Sequence, residues 1–154
     1  MRAAVVTVST TLARGEGDDR SGPRLVELCE AAGLDVSHET VSDDRPAIAA
    51  VLKRLADHER VRFVFTTGGT GLTVDDVTPE ATKDVIDRDA SGYSETIRAV
   101  SREHTPLGIL TRGVSGIRGR TLIVNFPGNP KAIDQSWPVV EPTLRHAAET
   151  LERD

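Results

Sequence analysis

Residues 61–81 read VRFVFTTGGTGLTVDDVTPEA, and this stretch decides the fold. Its first part is an apolar run of β-branched and aromatic residues, which predicts a buried strand over 61–66. Three glycines follow within the four positions 68–71. Because glycine has no side chain and accepts positive φ, successive N–H groups in such a loop can converge on an anion. The stretch therefore predicts a strand that ends in a phosphate-binding loop.

The residues after the glycines specify the start of a helix. Thr78 suits an N-cap, Pro79 the first helical position and Glu80 the first turn. Asp75 and Asp76 lie between the glycines and this helix. A carboxylate repels a nearby phosphate unless a cation lies between them, and Mg²⁺ is the usual mediator. We therefore expect phosphate, metal ion and acid to share one site.

Composition excludes several classes of protein. With 154 residues, 38% hydrophobic and 28% charged, the chain is long enough for one packed domain and differs from disordered and membrane proteins. No apolar run is long enough to span a bilayer and no signal segment opens the chain, so we expect a cytoplasmic protein with no membrane partner. A net charge of −5 and 3% aromatic residues argue against nucleic acid as a partner.

The single cysteine, Cys29, excludes an internal disulfide, and its helical spacing with Leu25 and Leu28 predicts a buried thiol.

Predicted strands and helices alternate along the chain. In the first half, strands are predicted at 2–9, 35–41 and 61–66, an exposed loop at 10–20, and helices at 21–33 and from Pro46 onward. In the second half, helices are predicted at 79–87 and 94–102, strands at 107–111 and 121–126 with a glycine-rich hairpin between them, a helix capped by Asn129 that breaks at Trp137-Pro138, and a last helix through Leu151. The order strand, helix, strand, helix, strand implies parallel pairing. The predicted fold is α/β: a three-layer α/β/α sandwich with a mostly parallel central sheet, in a single domain over residues 1–154.

Ligands of open parallel sheets bind at the carboxyl ends of the strands. Four loops satisfy this rule: Ser9-Thr10, Asp43-Asp44, residues 68–76 and residues 127–130. The glycines fit neither GxGxxG nor a Walker loop, and the four histidines lack metal-ligand spacing. We therefore expect the site at these loops and without histidine ligands.

Five segments carry a resemblance to a known family. They are TTGGTG at 66–71, DVTPEA at 76–81, GIRG at 116–119, NFPGNP at 125–130 and, earlier, DRSGP at 19–23. In this order they resemble the molybdopterin adenylyltransferases of molybdenum cofactor biosynthesis, which include a domain of eukaryotic gephyrin and its plant counterpart. The match covers almost the whole chain.

The resemblance implies a Mg²⁺-dependent nucleotidyltransferase that joins AMP from ATP to the terminal phosphate of molybdopterin and releases pyrophosphate. It also implies a homotrimer and hand-over of the product to a molybdotransferase. Matched by motif, Asp43 and Asp76 take the positions of two essential acids, both catalytic and metal-binding. The implied substrate and nucleotide contacts are Ser9, Thr67, Gly68, Gly69, Thr70, Gly71, Thr78, Gly128, Asn129 and Pro130.

The sequence departs from the family pattern at three places. Thr10 follows Ser9 where the family commonly has Asp, Thr111 precedes Arg112 where Ser is usual, and Ser42 replaces a frequent Pro. The first departure leaves open a non-catalytic or weakly active molybdopterin-binding protein of the same fold. A different enzyme on this fold, such as a molybdotransferase or a nucleotide pyrophosphatase, is disfavoured by the short chain, and a scaffold role is a further alternative.

Several site residues also have a purely structural interpretation. Asp43 suits a helix cap and Asp76 a loop that precedes a helix, while Gly71 and Gly128 fit ordinary turns. Thr67 and Thr70 fit a strand end and a turn. The arginines of the second half either anchor anions or are solvated turn residues: Arg112, Arg118 and Arg120.

Overall fold

The central sheet is built from six strands in residues 1–153, the part of the chain that the computed structural model describes. The strands are β1 (Arg2–Val8), β2 (Asp35–Val41), β3 (Phe63–Thr67), β4 (Arg88–Asp89), β5 (Ser115–Arg118) and β6 (Thr121–Phe126). Their spatial order is β2-β1-β3-β6-β5-β4. The first four in this order are parallel, whereas β5 and β4 are antiparallel to their neighbours. The prediction of a mostly parallel sheet is confirmed.

Seven α-helices in the described residues connect and cover the strands. They are α1 (Thr10–Ala13), α2 (Ser21–Ala31), α3 (Arg45–Lys53), α4 (Thr78–Val85), α5 (Gly92–His104), α6 (Pro130–Val140) and α7 (Leu144–Leu151). A π-helical turn, Arg54–His58, extends α3, and 3₁₀ turns occupy Pro106–Leu110 and Glu141–Thr143. Within residues 1–153, every helix is too short or too polar to cross a membrane.

Side chains that alternate along each buried strand define the three layers. Val5 faces a core that holds the inner sides of α2, α5, α6 and α7, and its neighbour Val6 faces a second core beneath α3 and α4. Phe65 anchors the larger core, where its ring meets Trp137 of α6 edge-on at a centroid distance of 5.6 Å. Because both faces of the sheet are covered, its central strands read as near-continuous apolar runs. The three-layer α/β/α prediction is confirmed.

Two predictions about the second half of the chain are wrong. Residues 107–111 are not a strand: Pro106 opens a 3₁₀ turn there, and Leu107 and Ile109 are exposed. The strand that pairs with β6 is instead Ser115–Arg118. The helix also continues through Pro138 to Val140, because Pro138 lies on the exposed face of α6, where water can reach the carbonyl group that its ring leaves unbonded.

The register of the parallel strands brings the predicted loops to one edge of the sheet. Val8 pairs with Val41, Thr7 pairs with Thr67, and Thr67 pairs with Phe126. The chain leaves β1, β2, β3 and β6 at this edge. The loops that begin at Ser9, at Ser42, at Gly68 and at Pro127 are therefore neighbours.

Candidate functional site

The carbonyl groups of the glycine loop are held by two residues outside it. The Thr78 hydroxyl donates to the Gly68 carbonyl at 3.0 Å, and the Thr78 N–H donates to the Gly69 carbonyl at 3.1 Å. The Arg112 N–H donates to the Thr70 carbonyl and its Nε donates to the Gly71 carbonyl, each at 2.8 Å. These bonds turn the carbonyl oxygens of residues 68–71 toward the protein.

The N–H groups of Gly69, Thr70 and Gly71 are left without a protein acceptor within residues 1–153. An unpaired backbone donor is costly unless water or a ligand receives it. The Gly68 N–H, by contrast, donates to the Phe126 carbonyl at 3.3 Å. The loop thus offers three consecutive donors to an incoming anion.

Gly68 and Gly69 are glycines because no other residue fits there. Their φ angles are +99° and +69°, in the left-handed region. A Cβ atom at Gly68 would lie 2.5 Å from the Val8 carbonyl oxygen, and one at Gly69 would lie 2.3 Å from the Thr78 hydroxyl. The loop therefore packs directly on the end of β1 and on the start of α4.

Arg112, which the sequence left open as an anion anchor or a solvated residue, braces this loop. Its guanidinium donates to the Gly71 and Asp76 carbonyls at 2.8 and 2.7 Å, and to both carboxylate oxygens of Glu80 at 2.9 and 3.1 Å. The paired charges lower the pKa of Glu80 and raise that of Arg112, in each case mainly through the hydrogen bonds between them. Sequence reasoning had no signal for this partnership beyond Arg112 itself, because Glu80 is 32 residues away.

Asp43 lies against the glycine loop and is held by Thr10. One oxygen, Oδ2, accepts hydrogen bonds from the Thr10 N–H at 2.9 Å and the Thr10 hydroxyl at 3.1 Å. The other, Oδ1, has no hydrogen-bond donor among residues 1–153 and lies 3.3 Å from the point where a Cβ of Gly69 would be. The neighbouring Asp44 caps α3 by accepting from the Ala47 N–H, so the capping role that Asp43 also suited belongs to Asp44.

Asp76 lies beside the same loop, next to Gly71, whereas Asp43 lies next to Gly69. Its Oδ2 accepts from the Thr73 N–H at 3.0 Å and the Thr73 hydroxyl at 2.9 Å, and lies 2.8 Å from the position of a Cβ at Gly71. Its Oδ1 also has no hydrogen-bond donor within the described part of the chain. Each acid is therefore fixed through Oδ2 and leaves Oδ1 for another partner.

A cleft of about 410 Å³ opens next to the loop. Six of the predicted contact residues line this cleft: Ser9, Thr67, Gly68, Gly69, Gly128 and Pro130. The other predicted residues, including Asp43 and Asp76, lie outside its lining. A second wall is formed by Asp18, Asp19, Arg20 and Ser21, which lead into α2. The cleft thus joins the glycine loop to a wall to which the sequence analysis assigned no chemistry.

That wall is fixed by a small polar network. The Thr7 hydroxyl donates to Asp19 at 2.8 Å and contacts Nε2 of His38 at 2.8 Å, while Asp19 also accepts from the Gly22 N–H at 3.0 Å. A Cβ at Gly22 would lie 2.2 Å from the Thr7 hydroxyl, so only glycine fits beside the network. The DRSGP segment was visible in the sequence, but the contribution of Thr7 and His38 was not.

Several predicted contact residues support the loops. The buried Thr67 hydroxyl donates to the Pro127 carbonyl at 2.8 Å and joins the ends of β3 and β6. Thr78 is fully buried under the glycine loop, and Thr70 is 5% exposed. Asn129 caps α6 through the Ala132 N–H and lines a second cleft of about 260 Å³.

The remaining candidates lie elsewhere. Arg118 pairs with Asp57 at the opposite edge of the sheet, where Arg118 is aligned with Thr121 at the amino end of β6. Cys29 is buried, and burial raises the pKa of its thiol to about 12. No group of three or more His, Cys, Asp or Glu side chains in residues 1–153 forms a ready metal centre. A cation at this site would need oxygens from its ligand as well as from the protein.

The fold and the site together define an α/β protein with a glycine loop, whose amides at residues 69–71 lack protein acceptors in the described chain, and two acids at the carboxyl edge of its sheet. Residues 4–146 match the family described as "Probable molybdopterin binding domain", and the chain belongs to this family.

Several named sequences and solved structures align with most of the chain, and each of the following is a protein that this chain is similar to. It is 41% identical over 139 residues to a molybdopterin adenylyltransferase of Haemophilus influenzae, covering 88% of this chain and 71% of that protein. It is 34% identical over 150 residues to a molybdopterin adenylyltransferase of Helicobacter pylori, covering 96% and 85%. Among solved structures, the molybdopterin biosynthesis enzyme MoaB of Thermus thermophilus is 41% identical, with a TM-score of 0.90 over 97% of this chain and 95% of that one. A structure of MogA is 35% identical, with a TM-score of 0.92 over 98% and 99%.

Proposed function

We propose that this protein is a molybdopterin adenylyltransferase, which transfers AMP from ATP to the terminal phosphate of molybdopterin and releases pyrophosphate. Relatives of that name at 34% and 41% identity over most of the chain support the proposal. The observation that carries it is the glycine loop, where the N–H groups of Gly69, Thr70 and Gly71 lack protein acceptors in the described chain while both acids lie alongside. A phosphate group satisfies those donors.

In the proposed reaction an oxygen of the molybdopterin phosphate attacks the α-phosphorus of ATP. The new P–O bond forms as the bond from the α-phosphorus to the bridging oxygen breaks, and pyrophosphate leaves with the electron pair. Positioning and charge neutralisation supply most of the catalysis in such transfers. The amides of residues 69–71 hold the attacking phosphate, and the cleft beside Ser9 and Gly128 receives the rest of the substrates. Asp43 and Asp76 are the catalytic acids of this proposal.

The two acids fit Mg²⁺ in donor chemistry. Magnesium is commonly bound by one or two carboxylates together with substrate phosphates and water, and Asp43 and Asp76 each present an oxygen that no donor in residues 1–153 contacts. A bound Mg²⁺ would neutralise the negative charge of the triphosphate. The hydrogen bonds to Oδ2 fix the orientation of each carboxylate separately, so that each free Oδ1 is already positioned before a metal ion binds.

The direct test is a turnover assay on the purified full chain. With ATP, MgCl₂ and molybdopterin, we expect pyrophosphate release and an equimolar adenylylated pterin product. Omission of molybdopterin is the control for simple ATP hydrolysis. A protein that binds molybdopterin but releases no pyrophosphate would contradict the proposal and would favour the binding-only alternative that Thr10 raises.

We extend the proposal to assembly and product transfer. A homotrimer is supported by the family resemblance and by exposed apolar side chains beside the site, with Leu107 and Ile109 exposed by 68% and 63%. Light scattering at micromolar concentration should give three times the mass of the 16.6 kDa chain. Hand-over of the adenylylated product to a molybdotransferase completes the proposed role.

A further inference from the structure

We propose that Arg112 is a positioning residue, whose guanidinium fixes the carboxyl-terminal end of the glycine loop for the substrate phosphate without touching the substrate itself. The inference rests on the proposed function in one respect, since it names the residue that orders the phosphate site of that reaction. Its physical basis, however, is a set of contacts that exist whatever the reaction is.

Arg112 connects three parts of the site. Its backbone N–H and Nε bind the Thr70 and Gly71 carbonyls, and its Nη2 binds the Asp76 carbonyl at 2.7 Å. A peptide unit whose carbonyl is held on one side directs the N–H of the following residue to the other side, because the unit is planar. The backbone N–H of Arg112, through the Thr70 carbonyl, therefore fixes the N–H direction of Gly71, and its Nε, through the Gly71 carbonyl, fixes that of Leu72. Thr78 does the same for Gly69 and Thr70 through the two preceding carbonyls.

The guanidinium has little capacity left for a ligand. It already donates to four oxygens of the protein, two of them on Glu80. The bidentate pair with Glu80 anchors the brace to the first turn of α4, so that the loop and the helix form one unit. A lysine has a single ammonium group in place of this planar fork and cannot reach all of these acceptors in the same geometry.

The experiment measures anion binding at the loop itself. The ¹⁵N-labelled full chain is titrated with inorganic phosphate, and the amide signals of residues 69–72 are followed, since the Arg112 side chain sets the direction of the Leu72 N–H. In the wild type we expect these signals to shift in a saturable manner. Arg112→Ala keeps the backbone bond to the Thr70 carbonyl but deletes the guanidinium contacts with Gly71, Asp76 and Glu80, and it should weaken the phosphate affinity at least tenfold. Arg112→Lys should give an intermediate loss, and Glu80→Gln, which keeps the arginine, should lose less than Arg112→Ala.

The matched control is Arg118→Ala. Arg118 also forms a bidentate pair, with Asp57, and donates to a carbonyl, that of Val85, but it lies at the opposite edge of the sheet. The phosphate affinity of Arg118→Ala should stay within twofold of the wild type, although the thermal stability of this variant should fall as that of Arg112→Ala does. If Arg112→Ala does not fold, the comparison of Arg112→Lys with Arg118→Lys replaces it.

The outcomes separate this inference from the proposed function. Phosphate binding to Arg112→Ala with wild-type affinity, or wild-type amides that do not respond to phosphate, would overturn the role of Arg112. A wild type that binds phosphate at the loop but makes no pyrophosphate from ATP and molybdopterin would overturn the proposed function and leave the positioning role intact. In an active enzyme, Arg112→Ala should raise KM for molybdopterin more than KM for ATP, a split that general destabilisation would not produce.

Discussion

Thr10 and Asp43 hold each other through three hydrogen bonds. The backbone N–H and the hydroxyl of Thr10 donate to Asp43 Oδ2, at 2.9 and 3.1 Å, and the Asp43 N–H donates back to the Thr10 hydroxyl at 3.0 Å. The residue that departs from the family pattern thus fixes the orientation of one of the two proposed catalytic acids. With threonine at position 10, Asp43 is held in place by a neutral hydroxyl and a backbone N–H.

Removal of this hydroxyl should slow the proposed reaction. Thr10→Val keeps the shape of the side chain but deletes the bond from the hydroxyl to Oδ2 and the acceptor of the Asp43 N–H, while the backbone bond to Oδ2 remains. A hydrogen bond to a charged group contributes about 1.5–3 kcal/mol, so we expect kcat to fall roughly tenfold to a hundredfold. Steady-state pyrophosphate release measures the effect. Thr10→Ser, which keeps the hydroxyl, is the control and should stay within about threefold of the wild type; equal turnover of the valine and serine variants would show that the hydroxyl does not position Asp43.

The two acids should be needed for turnover more than for binding. Asp43→Asn and Asp76→Asn keep an oxygen that can accept from Thr10 or Thr73, so the loop geometry should survive. We expect each variant to lose at least about a hundredfold in kcat, since charge stabilisation of this kind contributes several kcal/mol, and to retain molybdopterin affinity in fluorescence titration. Asp44→Asn is the control, because Asp44 caps α3 and Asn caps equally well. Full activity of Asp76→Asn would refute the catalytic role of Asp76.

The fold could be predicted because its signals are local. The apolar residues of β1, the apolar residues that recur every three or four positions in α3, and the glycines after β3 each lie within a few residues of one another. Each pattern predicts one strand, helix or loop. The wrong strand at 107–111 arose because Leu107, Ile109 and Leu110 look like a buried run but are exposed in a 3₁₀ turn. The true strand, Ser115–Arg118, begins with two small buried residues: the Ser115 hydroxyl donates to the Ala90 carbonyl, and a Cβ at Gly116 would meet Ile86 at 2.6 Å. Such a segment gives no apolar run in the sequence.

The site could be predicted only as far as single loops allow. Motifs located the glycine loop and both acids, but the residues that organise them are distant in sequence: Arg112 and Glu80 are 32 residues apart, and Thr7 and His38 are 31 apart. Such partnerships exist only once the strands have been paired in register. This is why the sequence left Arg112 open as an anion anchor or a solvated turn residue, and why Asp19 was assigned no role.

Steric closeness at the end of β1 makes Gly68 irreplaceable. Gly68 and Gly33 both have positive φ, +99° and +84°, but a Cβ at Gly68 would meet the Val8 carbonyl oxygen at 2.5 Å, whereas the space at Gly33 is open. Gly33→Ala should therefore cost only the backbone strain, about 1–2 kcal/mol. Gly68→Ala should cost that strain plus a clash with a central strand, more than about 3 kcal/mol in total. Urea denaturation of both variants measures the difference; equal costs would mean that the loop moves freely away from β1.

Cys29 should report on unfolding. Burial in the core under α2 raises the pKa of its thiol to about 12, so the native protein holds almost no thiolate at pH 8. Because the thiolate is the reactive form, we expect iodoacetamide to leave native protein unmodified over hours and to alkylate it fully in 8 M urea, as measured by intact mass. Rapid alkylation under native conditions would indicate local opening of α2.

The ion pair between Glu80 and Arg112 should make stability depend on pH. Arg112 lowers the pKa of Glu80 below its usual value of 4.5. A carboxyl group whose pKa is lower in the folded state stabilises the protein above its unfolded pKa, and this contribution is lost as pH falls through the folded pKa. The Tm difference between wild type and Glu80→Gln should therefore be largest near neutral pH and should shrink as pH falls from about 5 to about 3.

The Arg112→Ala background isolates the pair from other effects of the glutamine. There, Glu80 has lost the main cause of its lowered pKa, so the same Glu80→Gln change should produce a small Tm difference that hardly varies with pH. Differential scanning calorimetry of the four proteins in this double-mutant cycle, each at several pH values between about 3 and 7, measures the coupling. A coupling energy that stays constant across this range would show that the charge of Glu80 contributes nothing to the stabilising interaction with Arg112.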